Sequence, residues 1–333
     1  MKVGLYLATQ FTPGTPIGPQ IPHLVEQVRV ARANGFKSLW AAQHFITAPV
    51  QMLQTMPLLA RLLPEAEGMQ VGPNILVFPA LTPVLVAEEA ATMDWLSDGR
   101  YVLGLGLGYR EDEFTALGVP FRTRVARLRE GVELVRRLWS EERVTHHGKH
   151  FTVEDAGIAL KPKQQPGPPI WIAAVVEKAI ERAATLGDEW LITFYPTLRT
   201  LEWQLVRYRS ARAAAGLPSA VEYPICRECY VGATGQRALA EAEGPLRYKY
   251  AAYASWGQDE ILDEADRFDQ PFDAFRADRF IIGDEAWVKD ELERYRDSLG
   301  VRHFSMRMQW PGLEQNLVLK SIERLGRIVA AIR

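Results

Sequence analysis

The strand-like run YVLGLGLG, residues 101–108, constrains the fold most because it places glycine at every second position. Successive side chains of a strand point to opposite faces, so Gly104, Gly106 and Gly108 share one face and the intervening leucines share the other. Glycine inside a strand packs nothing and often marks the close approach of another group. The run therefore predicts a leucine face against helices and a bare face against something flat or another backbone.

Apolar runs typical of strands alternate with segments of helical period along the whole chain. VGLYL, for example, is followed by PHLVEQVRVARANG, in which Leu24, Val28 and Ala31 recur at helical spacing. Eight such units predict an α/β fold, a (β/α)8 TIM barrel with insertions, in a single domain over residues 1–333. Residues 140–168 and 244–280 exceed a simple repeat, and we interpret both as insertions. In such barrels the site lies at the carboxyl ends of the strands.

The composition is that of an ordinary globular protein. The chain of 333 residues is 47% hydrophobic and 24% charged, with a net charge of −2, so nothing attracts it generally to nucleic acid or to an anionic membrane. No apolar run reaches the roughly 18 residues that a membrane span needs. The short run VGLYLA is better interpreted as a first strand than as a signal peptide. We therefore expect a cytoplasmic protein with neither a nucleic-acid nor a membrane partner.

The two cysteines, Cys226 and Cys229, form a C-x-x-C pair in the strand-like PICRECYVG. Such a pair can indicate redox chemistry or half of a zinc site. In a strand, however, positions three apart face opposite sides, and the sequence has no second pair to complete four ligands. We interpret both as buried or half-buried thiols and predict no metal site. The polar THHGKH, from Thr145 to His150, indicates a solvated hairpin.

Several segments together resemble the bacterial luciferase-like flavin-dependent monooxygenase superfamily. They include GFKSLWAAQHF, the block from Val71 to Phe121, PIWIAA, TLGDEWL and RMQWPG. The resemblance implies a (β/α)8 barrel that binds FMN, or a deazaflavin coenzyme in related branches. It also implies that the glycine face of residues 104–108 lies beside the coenzyme ring. The glycine spacing does not fit the dinucleotide fingerprint G-x-G-x-x-G.

His44 is the predicted catalytic residue. It matches a histidine that the luciferase places near the reduced flavin, and an imidazole that titrates near neutral pH suits proton transfer. The alternative is a histidine satisfied within the loop at the end of its strand. The luciferase carries an acid immediately before this histidine, whereas this chain has Gln43, so the resemblance supplies no adjacent carboxylate to orient the imidazole. Glu113 matches an acidic position of the family, and we interpret it as ordering its loop.

The resemblance also implies a set of coenzyme-binding residues. Asn74 and Ile75 match a non-prolyl cis peptide that supports the ring; the alternative is an ordinary trans strand interior. Arg124 matches an arginine expected at the phosphate, which backbone N–H groups from Val175 onward can also bind. Phe194 matches an aromatic residue near the ring edge, with core packing as the alternative. The full predicted set is Asn74, Ile75, Gly106, Leu107, Arg124, Val175, Val176 and Phe194.

A substrate pocket is predicted from aromatic and polar residues near the strand ends. Gln309 and Trp310 end the eighth predicted strand in a motif common among relatives. The aromatic residues from Tyr248 to Trp256 recur at roughly helical spacing, which indicates either a helix packed on the barrel or a lid over an apolar substrate. The predicted pocket residues are Gln10, Phe11, Tyr109, Tyr195, Trp256, Gln309 and Trp310.

Three functions remain open at this point. The first is a two-component monooxygenase that takes reduced FMN from a separate flavin reductase and uses O₂ to oxidise a small apolar organic substrate. The second is a deazaflavin-dependent oxidoreductase that transfers hydride on the same barrel. The third is a non-catalytic flavin- or ligand-binding protein. Relatives commonly dimerise or tetramerise, so a homodimer or homotetramer is expected.

Overall fold

Strands and helices alternate along the chain. The computed structural model describes residues 1–262 and 264–332. The elements up to residue 140 are β1 (Lys2–Tyr6), β2 (Gln10–Phe11), α1 (Gln20–Ala33), β3 (Ser38–Ala41), β4 (Gln51–Met52), α2 (Thr55–Leu62), β5 (Gln70–Pro73), β6 (Leu76–Val77), α3 (Pro83–Leu96), β7 (Leu103–Gly106), α4 (Glu111–Ala116) and α5 (Arg124–Ser140). Those that follow are β8 (Val144–His147), β9 (Thr152–Ala156), β10 (Ile170–Ala174), α6 (Glu177–Leu186), β11 (Glu189–Ile192), α7 (Leu198–Ala214), β12 (Ile225–Val231), α8 (Gly235–Ser255), α9 (Phe272–Arg276), β13 (Ile281–Gly283), α10 (Glu285–Leu299), β14 (His303–Arg307) and α11 (Gln315–Ala331).

The parallel strands form a nearly closed barrel. Their order is β5-β3-β1-β14-β12-β11-β10-β7-β6, and a parallel bridge joins Val71 of β5 to Tyr101, two residues before β7. Strands β5 and β6 are two segments of one passage through the wall, separated by Asn74 and Ile75. The predicted TIM-barrel class is confirmed. Strand β13, which pairs with the last three residues of β12, was not predicted.

Local sequence signals explain where the helices begin and end. Helix α3 begins with Pro83, whose fixed φ and missing N–H suit a first helical position. Helix α10 begins after Asp284, whose carboxylate accepts a hydrogen bond from the Trp287 N–H at 3.1 Å. The same helix ends at Gly300, which adopts a left-handed φ of 77°. These signals fix the helix lengths that return the chain to the next barrel strand.

The glycines of β7 are required for different reasons. A Cβ at Gly104 would lie 2.1 Å from the Pro73 carbonyl oxygen, so this glycine admits a neighbouring backbone. A Cβ at Gly106 would lie 2.5 Å from Ile75 Cδ1, which is a side-chain contact. Gly108 follows the strand with a φ of +74°. The bare face predicted from the sequence therefore meets backbone at one end and opens toward a cavity at the other.

The two predicted insertions contain regular structure. The first holds the antiparallel β8–β9 pair, which confirms the hairpin predicted around residues 145–150. The second begins inside α8, which buries Tyr250 and Tyr253 and leaves Tyr248 51% exposed. The helical alternative is thus confirmed for residues 248–255, and the turn that follows contributes to the wall of a cavity. None of the helices described is long and apolar enough to cross a membrane.

Candidate active site

A cavity of about 500 Å³ lies at the carboxyl ends of the barrel strands. It collects most of the predicted residues: Gln10, His44, Asn74, Ile75, Gly106, Leu107, Tyr109, Arg124, Val175, Val176, Phe194, Tyr195 and Gln309. Phe11 and Trp256 line a smaller neighbouring cavity, although the Trp256 ring centroid is 6.1 Å from that of His44. Trp310 differs from the prediction: its indole is 1% exposed and donates a hydrogen bond to Glu228 instead of lining the pocket mouth.

His44 is held by a carboxylate that is distant in sequence. Its Nδ1 lies 2.8 Å from Glu113 Oε1, and the Glu113 side chain is fully buried. The same oxygen accepts hydrogen bonds from the Phe45 N–H at 3.2 Å and from Arg110 Nη1 at 3.1 Å. An ionised carboxylate only accepts hydrogen bonds, so Nδ1 carries the proton. Nε2, which has no partner within residues 1–262 and 264–332, is the ring nitrogen available to a ligand.

Gln43 and Glu113 have different roles beside His44. Gln43 Oε1 accepts a hydrogen bond from the Val77 N–H at 3.1 Å, so this side chain supports β6. The carboxylate beside the imidazole comes instead from Glu113 in α4. The interpretation of Glu113 as ordering its loop was incomplete, because this residue also orients His44. The signal available in the sequence was the acidic run REDEF after the glycine strand.

The peptide bond between Asn74 and Ile75 is cis, as the resemblance implied. The Asn74 carbonyl oxygen accepts a hydrogen bond from the Tyr6 hydroxyl at 2.8 Å, and the Asn74 side-chain amide donates to Cys226 Sγ at 3.1 Å. Burial raises the pKa of the Cys226 thiol to about 11, so it remains protonated. These contacts fix Ile75 against Gly106 as one wall of the cavity.

Unpartnered polar atoms inside the cavity fit a flat ligand with polar edges. The Tyr109 hydroxyl and Thr193 Oγ1 are buried and have no hydrogen-bond partner in the described part of the chain. Burial, with a smaller contribution from Tyr253, raises the pKa of Tyr109, so its phenol stays neutral and can donate. Buried polar groups without partners cost free energy that a ligand can recover. A flavin or deazaflavin ring has the required shape and carbonyl groups.

Arg124 lines this cavity and belongs to a cluster of arginines with Arg129 and Arg182. The Arg124 guanidinium carbon is 3.7 Å from the Phe121 ring centroid, and its buried Nε lacks a partner among the described residues. Burial and then the charges of Arg129 and Arg124 lower the pKa of Arg182. Helix α6 begins at Glu177, directly after Val175 and Val176. This donor set fits a phosphate group, and Arg129 and Arg182 are residues that sequence reasoning missed.

Sequence reasoning also missed a charged group on the opposite wall of the cavity. Arg307 and Lys249 line the cavity, and Glu228 lies directly behind them. All three side chains are at most 7% exposed. These residues come from β14, α8 and β12, so no local pattern in the sequence connects them. An apolar pocket was expected here, and a charged one is present.

Comparisons with known proteins identify relatives of two kinds. The F420-dependent glucose-6-phosphate dehydrogenase of Kineococcus radiotolerans is 35% identical over 198 residues, which are 56% of this chain and 54% of the relative. The oxygenase component of the flavin-dependent trigonelline monooxygenase of Acinetobacter baylyi is 29% identical over 157 residues, 45% of this chain and 42% of the relative. The chain thus spans about half the length of these curated relatives.

A solved structure extends the likeness to the whole chain. The monooxygenase RslO1 from Streptomyces bottropensis has a TM-score of 0.86 at 22% identity and covers 99% of each chain, which supports the fold alone. Relatives of both the flavin and the F420 kind occur, so the comparisons leave the coenzyme open. The sequence profile of the luciferase-like monooxygenase family matches residues 1–303. The chain therefore belongs to the luciferase-like monooxygenase family.

Proposed function

We propose that this oxidoreductase is an FMN-dependent monooxygenase that receives reduced FMN from a separate reductase. The observation that carries a catalytic function is the His44–Glu113 pair, which presents an oriented imidazole to a cavity whose wall is formed by Gly106 and Ile75. The description of the matching family as luciferase-like monooxygenases supports it. So does the sequence, which has no nicotinamide fingerprint and is consistent with a reductant that arrives from outside.

The residues divide into groups that bind the coenzyme and a group that moves a proton. Gly106 and Ile75 would support the ring, and Arg124 with the N–H groups at the start of α6 would bind the phosphate. Reduced FMN, when bound, supplies the electrons for oxidation of a substrate by O₂. His44 Nε2 accepts or returns a proton at the reacting atoms, and Glu113 holds the imidazole in one tautomer.

A second candidate is a deazaflavin-dependent oxidoreductase. The identity to the F420-dependent dehydrogenase of Kineococcus radiotolerans favours it. The same cavity would hold the related ring, and His44 Nε2 would take the proton of a substrate hydroxyl group. A carboxylate-supported imidazole serves either reaction, because both require a proton acceptor near the ring.

Coenzyme titration separates these functions. The purified protein is titrated anaerobically with reduced FMN and with reduced deazaflavin, and oxygen is then admitted together with a panel of small organic acids and ketones. Binding of reduced FMN followed by oxygen-dependent product supports the monooxygenase. Tight deazaflavin binding with oxygen-independent turnover supports the second candidate. Binding without any turnover identifies a carrier and rejects both.

Two histidine variants test the assigned proton-transfer group. His44→Ala should reduce product formation by about 100-fold or more, since general acid–base groups contribute about 10²–10⁴-fold. It should change binding of the reduced coenzyme little. His147→Ala is the matched control, because that imidazole is 64% exposed in the β8–β9 hairpin. Equal activity of His44→Ala and wild type would reject the catalytic role.

A further inference from the structure

Arg307 is held in one orientation by two aromatic rings. Its guanidinium carbon lies 4.3 Å from the Tyr6 ring centroid and 4.1 Å from that of Phe194. A planar guanidinium stacks readily on aromatic faces. With ring contacts fixing its plane, the group presents its remaining N–H donors in a defined direction.

The hydrogen bonds of Arg307 leave part of its donor capacity unused. Nη1 contacts Glu228 Oε1 at 3.5 Å and the Tyr253 hydroxyl at 3.3 Å. Nε is buried and has no partner within residues 1–262 and 264–332, whereas the Tyr6 hydroxyl shares a further side-chain hydrogen bond with the guanidinium. Five N–H groups are available on a guanidinium, and buried donors are nearly always satisfied. Arg307 therefore retains donors that a ligand in the cavity can use.

Lys249 adds a second cation to the same wall. Its ammonium group forms an ion pair with Glu228, and it lies 5.3 Å from the Phe194 ring centroid. Burial disfavours ionisation of Glu228, but the charges of Lys249 and Arg307 outweigh burial and lower the pKa of this carboxyl. Burial and then Arg307 lower the pKa of Lys249 to about 7. Below that pH, two cations share one carboxylate, and the wall carries an excess positive charge.

Arg307 lies across the barrel from the wall assigned to the coenzyme ring. Counting neighbours around the barrel, β14 is four strands from β7 through β10, β11 and β12, and also four through β5, β3 and β1. Gly106 belongs to β7, and Ile75 follows β5. A ring held there leaves the opposite wall to the substrate. The acidic residue Glu260 also lines the cavity, but it is exposed in the turn after α8.

We propose that Arg307, assisted by Lys249, binds a carboxylate group of the substrate. The substrate would then be a small organic acid whose apolar part faces the ring, and not the purely apolar molecule expected from the sequence. This assignment rests on the proposed function for the placement of the ring. A carboxylate suits the site because a guanidinium can donate two parallel hydrogen bonds to its two oxygens.

Benzoate and benzamide test the proposal because they share a shape and differ in charge. Their dissociation constants are measured by calorimetry at pH 6 with coenzyme-free protein, so the result does not depend on which coenzyme the protein uses. Wild type should bind benzoate about tenfold or more tightly than benzamide, the ratio expected from hydrogen bonds to a charged group. Equal affinity for the two probes would overturn the proposal.

Variants identify the residue responsible. Arg307→Met should abolish the preference for benzoate, and Lys249→Met should reduce it about threefold while leaving Arg307 in place. Arg302→Met is the matched control, since Arg302 is an exposed arginine directly before β14. Circular dichroism checks folding, and the wild-type comparison remains decisive if Arg307→Met does not fold. Two results would overturn the proposal. One is an unchanged preference for benzoate in folded Arg307→Met. The other is a loss of affinity for reduced FMN in that variant as large as its loss of affinity for benzoate, which would assign Arg307 to the coenzyme. Failure of the coenzyme titration alone would instead reject the proposed function.

Discussion

Replacing Gly104 by alanine should destabilise the barrel far more than the same replacement at Gly106. The new Cβ at Gly104 would lie 2.1 Å from the Pro73 carbonyl oxygen. Cβ atoms essentially never approach another heavy atom more closely than 3.0 Å, so this contact is 0.9 Å too short (3.0 − 2.1). The obstacle is backbone, so β5 and β7 would have to separate. At Gly106 the obstacle is the Ile75 side chain at 2.5 Å, which can rotate into the cavity.

The two costs can be estimated from these contacts. Overpacking a core costs about 1–3 kcal/mol, and a clash with strand backbone belongs at the upper end, about 3 kcal/mol for Gly104→Ala. Rotating Ile75 off its preferred rotamer costs about 1 kcal/mol. Alanine also restricts the unfolded chain, which returns about 0.5–1 kcal/mol in both variants. We therefore expect a net loss of about 2 kcal/mol or more at Gly104 and less than about 1 kcal/mol at Gly106.

Urea unfolding measures both changes. Circular dichroism and tryptophan fluorescence give the free energy of unfolding by linear extrapolation, with wild type as the reference. Gly106→Ala should keep its stability and bind the reduced coenzyme more weakly, because the displaced Ile75 side chain narrows the cavity. The contact with the Pro73 backbone predicts a change near the upper end for core substitutions. It would be contradicted if the free energy of unfolding of Gly104→Ala were within about 0.5 kcal/mol of wild type, or if Gly104→Ala were less destabilised than Gly106→Ala.

Three further predictions concern charged groups. Glu113→Gln should lower turnover about 10- to 100-fold by removing the charged acceptor at Nδ1 of His44, and ¹⁵N spectra should show a mixture of imidazole tautomers. The affinity for benzoate should fall as pH rises through about 7, because Lys249 loses its proton, while the affinity for benzamide should not change. The free energy of unfolding should fall as pH drops below 6.5, because burial lowers the pKa of His303 and the unfolded chain takes up this proton first. It should fall again between pH 4.5 and about 2, because Glu222 is protonated in the unfolded chain before it is protonated in the folded protein.

The tautomer spectra and the pH series for benzoate each have a result that decides the prediction. A single tautomer in Glu113→Gln, equal to that of wild type, would contradict the orienting role. For the pH series, Glu228, Tyr250, Tyr253 and Arg307 face Lys249, and their charges should be constant near neutrality because Glu228 has a lowered pKa and both phenols have raised ones.

The acid transition depends on a network at the opposite end of the barrel. Burial opposes ionisation of Glu222, but hydrogen bonds from His303 and Lys2 outweigh it and lower its pKa to about 2. His303 is buried and also contacts Ser38 Oγ through Nε2 at 2.7 Å. Glu222→Gln should flatten the transition between pH 4.5 and about 2, and an unchanged acid profile would contradict this assignment.

The barrel was predictable because its signals are local. Alternating strands and helices are visible along the sequence, some of them bounded by proline, glycine or aspartate as in α3 and α10, and a parallel sheet covered by helices follows from them. Strand β13 was missed because its three residues lie at the end of a long insertion and pair only with the upper part of β12. The reason for Gly104 was also not local, since Pro73 approaches it through the register of neighbouring strands.

Site residues were predictable from the sequence where they lie at or just after the carboxyl end of a barrel strand. Gly106 ends β7, Asn74 directly follows β5, and His44 lies three residues after β3. Contacts between distant segments were not predictable: Glu113 reaches His44 across 69 positions, and Arg307 meets Glu228 across 79. Trp310 was expected at the pocket mouth, but the buried Glu228 carboxylate accepts its indole N–H and draws the ring into the protein. The positions of these side chains thus depend on contacts with charged residues from distant segments, which the order of strands in the sequence does not reveal.

A crystal structure of the protein with reduced FMN bound would locate the coenzyme ring and its phosphate. The ring should lie against Gly106 and Ile75, with His44 Nε2 facing it and the phosphate near Arg124 and the start of α6. Reduced deazaflavin bound in that position would support the same site with the second coenzyme. A ring that lies against Arg307, or that binds outside the cavity, would contradict the proposed coenzyme site.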